Sequence, residues 1–418
     1  MGELIEIKRE QERVVLVAVE YNENEDSDAY LDELSELAKT AGAETVGRIV
    51  QKRETVSSST YIGKGKVEEL KELINETGAT GIICDDELTP AQMKNLEEAL
   101  STKVMDRTML ILDIFAGHAT TAEGKLQVEM AQLKYRSSRL VGMRRSMSRV
   151  SYGIGMRGPG EKKLEVDRRL IRDRISRLKE ELEGIEKNRG TNRAKRLESG
   201  TPVAAIVGYT NAGKSTLVNK LTGSDILAAD MLFATLDPTI RLLKFDDGQE
   251  VLLADTVGFI RKLPHHLIEA FRSTLEEACY SDFIIHVVDA SDPKAFDHMH
   301  VTYETLRRIG VKDKPVITVF NKQDLISEKE IIRDFNSDVS VEISAKTGQG
   351  FDRLKEELLK LLLEKKVYIE KTIDFSKAGI LQQIRKSGTL LEEEYVPEGI
   401  RIKAYVDKAL FGKIKDSI

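Results

Sequence analysis

The sequence predicts an α/β chain of four parts: an amino-terminal α/β domain, a long antiparallel helical hairpin, a second and larger α/β domain, and a small α+β carboxy-terminal domain. Three observations carry it. Short apolar runs bounded by turn residues alternate with helical periodicity through the first part of the chain. Two long stretches of helical spacing then follow one another, separated by a glycine-rich interruption. Beyond them an apolar strand, Val203 to Val207, runs into a glycine-rich turn and then a helix. A length of 418 residues is ample for several cores at ~150 residues per domain.

The first part, 1–115, reads as strand Val14 to Val19, an amphipathic run carrying Leu31, Leu34, Leu37 and Ala38, strand Thr45 to Val50, helix Lys66 to Ile74, strand Gly81 to Cys84, a helix opened by Thr89-Pro90, and a strand around Val104. This alternation predicts a parallel sheet. Gly63-Lys64-Gly65-Lys66 has the wrong spacing for a phosphate loop and lacks a following Ser or Thr, so it is read as a basic turn before a helix. In 116–198, Leu126, Met130, Leu133 and Leu140, and later Leu164, Ile171, Ile175, Leu178, Leu182 and Ile185, form coiled-coil-like seams. The interruption, 143–160, holds Gly153, Gly155, Gly158, Pro159 and Gly160, which predicts a helical hairpin with its tip there. The polar run Gly190 to Pro202 is read as a linker. In the third part, 199–365, Asp246-Asp247-Gly248 turns a β-hairpin between Ile240 to Phe245 and Val251 to Ala254. The tail, 366–418, reads strand, helix, strand, strand, helix.

Composition narrows the class of function. A 41% hydrophobic, 32% charged chain suits a soluble globular protein, no apolar stretch approaches ~18 residues, and the start is too charged for a secretory signal, so a cytoplasmic protein with no membrane partner is expected. Cys84 and Cys279 are too few for a thiolate zinc site or a disulfide framework and are read as buried or half-buried side chains. His265 and His266 lack spaced metal partners and are read as a surface pair. A net charge of −6 argues against indiscriminate coating of nucleic acid. Locally, however, Lys134, Arg136, Arg139, Arg144, Arg145, Arg149 and Arg157 lie in a stretch from Lys134 to Gly160 with no Asp or Glu, which favours a polyanion contact at the hairpin tip.

The glycine-rich turn is Gly208-Tyr209-Thr210-Asn211-Ala212-Gly213-Lys214-Ser215, followed by Thr216, the spacing G-x-x-x-x-G-K-S between a strand and a helix. Such a loop aims backbone N–H groups at phosphates, its lysine reaches the β and γ phosphates, and its serine hydroxyl meets magnesium. The base is read by Asn321-Lys322-Gln323-Asp324, at the end of the apolar run Val316 to Phe320. An Asp carboxylate accepts two hydrogen bonds from a guanine edge, donors that adenine lacks, so GTP and GDP are the expected ligands. Asp255-Thr256-Val257-Gly258 ends the strand Val251 to Ala254, which sets Asp255 to hold magnesium through water and the Gly258 amide to approach the γ-phosphate. Phe233-Ala234-Thr235-Leu236-Asp237 forms a loop whose Thr235 closes onto the metal and γ-phosphate, and Ser344-Ala345-Lys346 stacks beside the base. Catalysis is thus assigned to Lys214, Thr235 and Gly258, and magnesium to Ser215, Thr235 and Asp255. A P-loop GTPase domain is expected, hydrolysing GTP to GDP and phosphate. Phe259 stands where a water-orienting glutamine is common, so turnover is expected to be slow without help. Asn211 resembles the potassium-ligating asparagine of some cation-dependent GTPases, and a purely structural turn residue is the other reading.

With these residues assembled, the chain resembles the HflX family of ribosome-associated GTPases. Beyond the general GTPase motifs, the match is carried by Gly153-Ile154-Gly155-Met156-Arg157-Gly158-Pro159-Gly160-Glu161, Leu164-Glu165 and Asp167-Arg168-Arg169. It continues in Phe233 to Thr239 and in Asp255-Thr256-Val257-Gly258-Phe259-Ile260. Lys162-Lys163 departs from the Thr-Gln of many members, which bears on fine contacts at the tip. The resemblance implies binding to the large ribosomal subunit through ribosomal RNA, with Arg144, Arg145, Arg149 and Arg157 as RNA contacts, and dissociation of stalled or idle ribosomes. A monomer with no DNA partner is expected. The alternatives are a free-standing signalling GTPase acting through a protein partner and a ribosome-assembly GTPase.

Overall fold

Valine and isoleucine runs too short for helices form the three sheets on which the chain is built. The structure, a computed structural model, describes residues 11–21, 27–147, 159–223, 232–233, 239–264, 267, 272–326, 332–364 and 366–414. Two compact units result: one comprises Met1–Glu183, Met231–Phe233 and Lys262–Phe271, the other Gly184–Asp230, Ala234–Arg261 and Arg272–Ile418.

In the first unit, β1 (Arg13–Glu20), β2 (Glu44–Lys52), β3 (Gly81–Cys84) and β4 (Lys103–Asp106) make a parallel sheet in the order β2-β1-β3-β4. The strands alternate with α1 (Ser27–Thr40), α2 (Lys64–Thr77), α3 (Pro90–Leu100) and α4 (Arg107–His118). Helix α1 buries the expected stripe, Leu31, Leu34, Leu37 and Ala38. Helix α3 starts where a capping box allows: Thr89 and Gln92 satisfy each other's orphan backbone donors, with Pro90 in the first turn. Gly63 is the residue before α2, so the Gly63-to-Lys66 segment opens a helix, as read from its spacing.

The carboxyl ends of these strands carry a row of paired charges. Arg107 is buried, donates to Asp85 at 2.9 Å and pairs with Glu33. Asp106 is also buried; it caps α4 by accepting from Met109 N at 2.9 Å, and it accepts from Tyr135 at 2.8 Å and from Arg139 at 2.5 Å. Open α/β sheets hold ligands in the crevice outside their strand ends, where the strand order reverses. Here Lys262 reaches that edge, donating to Asp85 at 2.9 Å and pairing with Asp86, which Tyr61 also contacts at 2.7 Å.

Helices α5 (Ala122–Met147) and α6 (Pro159–Ser199) run antiparallel: Glu129 binds Arg174 at 2.8 Å, and Arg168 donates to Leu140 O at 2.9 Å. Of the expected α5 seam only Met130 is buried, with Leu126, Leu133 and Leu140 half-buried. Helix α5 instead lays Val128, Ala131 and Tyr135 inward, because it packs sideways on α3 and α4 as well. On α6, Leu178 is buried, while Ile171, Ile175, Leu182 and Ile185 are half-buried. Arg139 is committed to Asp106 and to the Tyr135 ring, 4.1 Å from its centroid, which takes it out of the basic set read from sequence. The Gly190-to-Pro202 linker is corrected: α6 continues through Gly190 to Ser199, its Lys, Arg, Glu and Ala content outweighing the roughly 1 kcal/mol cost of a mid-helix glycine. The segment 148–158, with Arg149 and Arg157, lies outside the described residues, as do His265 and His266.

In the second unit, a six-stranded sheet runs β10-β9-β8-β5-β7-β6. Strands β5 (Val203–Gly208), β7 (Glu250–Asp255), β8 (Phe283–Asp289), β9 (Val316–Asn321) and β10 (Val339–Glu342) are parallel. The edge strand β6 (Thr239–Lys244) is antiparallel to β7 across the expected turn, where Gly248 takes φ +81°. Helices α7 (Lys214–Thr222), α8 (Arg272–Tyr280), α9 (Ala295–Ile309) and α10 (Phe351–Glu364) accompany it. The tail forms β11 (Lys366–Ile373), α11 (Ala378–Ser387), β12 (Thr389–Val396), β13 (Gly399–Asp407) and α12 (Lys408–Ile414), an antiparallel sheet in the order β11-β13-β12. Cys84 is buried and Cys279 half-buried, with no disulfide at either, and Cys279 Sγ donates to Ile309 O at 3.3 Å. Among the described residues no helix is long and apolar enough to cross a membrane.

Removing one partner of a buried pair strands the other charge, a loss of about 3–5 kcal/mol. Arg107→Leu is therefore expected to lower the unfolding free energy of the first unit, read from its urea transition, by an amount in that range. Arg107→Lys should recover only part, since one ammonium cannot reproduce the guanidinium fork shared between Asp85 and Glu33.

Candidate nucleotide site

The phosphate loop begins where β5 ends, at the centre of the six-stranded sheet. Its turn into α7 requires Gly213, which has φ +93° and whose added Cβ would lie 2.2 Å from the Asn321 amide nitrogen. That amide is the brace of the site. Asn321 Nδ2 donates to Ala212 O at 2.9 Å and its Oδ1 accepts from Ala345 N at 2.8 Å, which ties the phosphate loop to the Ser344-Ala345-Lys346 loop.

Lys214 is buried at the first position of α7, and its ammonium donates to Gly208 O at 3.1 Å and Tyr209 O at 2.7 Å. Burial pushes its pKa from 10.5 down to about 8, opposed by the nearby Asp255 carboxylate. Ser215 Oγ donates to Asp255 Oδ2 at 2.9 Å. Hydroxyl and carboxylate oxygens so placed are the hard donors that suit magnesium, which takes few protein ligands and completes its shell with water and phosphate oxygens. Thr256 anchors the same strand end through Ile206 O at 2.7 Å. Gly258 lies against the loop: a Cβ there would meet Thr210 Cα at 2.9 Å and Lys214 Nζ at 3.1 Å. Phe259 is buried, and its backbone bonds to Thr210 N at 2.8 Å and Gly208 O at 3.0 Å, so its side chain belongs to the core. Val257 is also buried, Asn211 takes φ +59° on the exposed side of the loop, and Thr216 lies in the first turn of α7.

At the base-reading end, Lys322 takes φ +64° and pairs with Asp289 at 2.6 Å. Gln323 and Asp324 follow in a short 3-10 turn. Ser344 Oγ donates to Asp324 Oδ1 at 2.6 Å, and this bond, with the backbone, Lys346 and Lys322, lowers the Asp324 pKa, which keeps the carboxylate an acceptor. Ala234, Thr235, Leu236 and Asp237 lie outside the described residues. Phe233 is held in the first unit, edge-on to Phe115 with centroids 4.7 Å apart, its carbonyl 2.9 Å from His118 Nδ1. Sequence reading missed Asp289, although an acid at the end of the apolar run Phe283 to Val288 was a usable signal. It also missed His298, which stacks on Tyr209 with no local sequence cue.

Residues 28–116 match a family model described as GTP-binding GTPase N-terminal, residues 118–196 one described as GTP-binding GTPase middle region, and residues 203–322 one described as 50S ribosome-binding GTPase. A GTPase HflX from Lacrimispora saccharolytica is 60% identical over 417 residues, covering 100% of this chain and 99% of that protein. The chain belongs to the HflX family of GTPases. A GTPase HflX from Caldanaerobacter subterraneus is 48% identical over 99% of this chain and 95% of its own length, and one from Escherichia coli is 43% identical over 84% and 83%. A solved GTP-binding protein from Sulfolobus solfataricus in complex with GDP is 25% identical, covering 84% of this chain and 98% of its own, with a TM-score of 0.45. This HflX-family chain binds guanine nucleotides and hydrolyses GTP.

Two expectations follow for this site. Between a folded pKa of about 8 and an unfolded value of 10.5 the native, nucleotide-free protein binds fewer protons at Lys214 than the unfolded chain, so stability rises with pH across that window and the cost of burying the ammonium is fully present below it. Lys214→Met is expected to raise the thermal midpoint of the nucleotide-free protein near neutral pH, with the gap from wild type narrowing as pH rises through the window, while guanine nucleotide binding is lost. Asp324→Asn presents a donor where guanine also donates; GTP affinity should fall roughly tenfold or more and xanthosine triphosphate affinity should rise, both read by competition binding.

Proposed function

We propose that this GTPase is a GTP-gated factor of the large ribosomal subunit that dissociates stalled or idle ribosomes in the cytoplasm, acting as a monomer through ribosomal RNA. The observation that carries this is the acid-free, arginine-rich sequence from Lys134 to Gly160, which takes in the end of α5 and the link to α6, in a chain whose residues 203–322 match the 50S ribosome-binding model. A basic tip on a stiff helical rod suits folded RNA, where phosphates supply affinity and guanidinium planes stack on unpaired bases. Arg144 and Arg145 fall in the last turns of α5, and Arg149 and Arg157 fall between the helices in sequence.

In this proposal Lys214 and the phosphate-loop amides hold the β and γ phosphates, Ser215 and Asp255 hold magnesium with Thr235, and the Gly258 amide meets the γ-phosphate. Magnesium neutralises phosphate charge when bound. Phe259 supplies no polar group to orient water, so the subunit contributes the missing positioning, and hydrolysis ends the Gly258 amide's contact with the γ-phosphate and releases the loop carrying Thr235. Potassium at Asn211 would add a further cation to the developing charge.

Cosedimentation with purified large subunits in a non-hydrolysable GTP analogue tests the reading, paired with hydrolysis rates with and without subunits. Subunits are expected to stimulate hydrolysis. Replacing Arg144, Arg145, Arg149 and Arg157 together by Ala should weaken binding and reduce the salt slope by roughly three to four, leaving GTP affinity intact. Persistent binding with an unchanged slope would make the tip a connector, and no stimulation by subunits would favour a signalling GTPase with a protein partner. Equal rates in potassium and sodium would remove the cation.

A further inference from the structure

Tyr209 is the second residue of the phosphate loop, a position whose backbone role needs no particular side chain. Its ring is nevertheless buried and stacked on His298 of α9, with centroids 3.8 Å apart and planes 11° from parallel. The stack directs the phenolic oxygen to the Arg261 amide, from which it accepts at 2.9 Å. The same segment is held two residues earlier by the Phe259 backbone bonds to Gly208 and Thr210, at 3.0 and 2.8 Å. Gly258, seated against Thr210 and Lys214, begins this doubly fastened stretch.

We propose that Tyr209 is a positioning residue for γ-phosphate recognition. Its hydroxyl pins the Arg261 amide so that residues 258–261 are set on the phosphate loop before nucleotide arrives, with the Gly258 amide already facing the third phosphate position. Pre-ordering a segment removes the cost of fixing it at the moment of binding. That saving accrues to GTP alone, because GDP has no phosphate for the Gly258 amide to meet. It matters more in a chain whose Phe259 contributes no polar group, since the geometry of the segment is then the protein's own contribution to placing the reacting phosphate. The inference rests on the reading of the Gly258 amide as a γ-phosphate contact.

Equilibrium binding of GDP and of a non-hydrolysable GTP analogue to the full-length protein tests it, together with single-turnover hydrolysis at saturating GTP. Tyr209→Phe keeps the ring and its stack and removes the hydroxyl that accepts from Arg261. It should weaken the analogue about fivefold, the worth of one neutral hydrogen bond, leave GDP within about twofold, and slow the hydrolytic step. His298→Ala, which removes the surface beneath the ring, should shift the same ratio in the same direction. Equal losses for GDP and analogue, or no loss for either, would overturn the proposal and leave Tyr209 as packing. Gly258→Ala separates the two layers. If it spares the analogue-to-GDP ratio, the underlying reading fails and the Tyr209 proposal with it; if it collapses the ratio while Tyr209→Phe does not, only the role of Tyr209 is lost.

Discussion

A buried ammonium inside a loop that must leave its own amides free for phosphates is the constraint around which the carboxy-terminal unit is arranged. Lys214 is held by the Gly208 and Tyr209 carbonyls, and burial drives its pKa down against the nearby Asp255 carboxylate. A loop of that kind can spare few N–H groups for internal bonds, such as Ala212 N to Tyr209 O at 3.3 Å, because most of those donors are reserved for the ligand. The surrounding chain braces it from outside. Asn321 holds it on the base side, Phe259 and Gly258 hold it on the phosphate side, and the Tyr209 ring lies on α9. Each brace reaches the loop through a carbonyl, a side chain or a single amide.

The amino-terminal unit solves a different electrostatic problem at a comparable place in its sheet. Parallel strands converge their carboxyl ends on one edge, and there Asp85, Asp86 and Asp106 gather with Glu33 nearby. Clustered carboxylates would repel and protonate if left alone. Arg107, Arg139 and Lys262 neutralise them, with tyrosine hydroxyls from Tyr61 and Tyr135 completing the hydrogen bonds. Lys262 adopts φ +52°, a conformation uncommon for a residue with a side chain, and the paired carboxylates hold it there.

The carboxylate row of the amino-terminal unit also bears on the arginine-rich hairpin. Arg139 and Arg107 look in sequence like any other basic residue, yet both are consumed by buried carboxylates and are unavailable to a polyanion. Charge counted along a chain overstates charge presented to a partner. Arg136, one turn away on α5 and exposed, keeps the character that Arg139 loses.

The sequence by itself determined the four strands and first three helices of the amino-terminal α/β region, the β-hairpin at Gly248 and the strand-helix-strand-strand-helix tail, because apolar period, capping residues and turn glycines are local signals; it did not mark α4 (Arg107–His118), β8 or α9. It also placed the phosphate loop, Asp255, Gly258 and Asn321-to-Asp324 at strand ends, since those motifs combine a fixed spacing with an apolar strand before them. Only the tertiary structure decided where α5 lays its buried face, since a helix flanked by α3 and α4 on one side and α6 on another carries two overlapping apolar stripes that a single period cannot separate. The same holds for the continuation of α6 past Gly190, where helix-forming charged residues override a local breaker, and for the pairings Arg107–Asp85, Lys322–Asp289 and Tyr209–His298. Those partners are brought together by sheet order and helix packing, and nothing within a few residues of either member encodes the meeting.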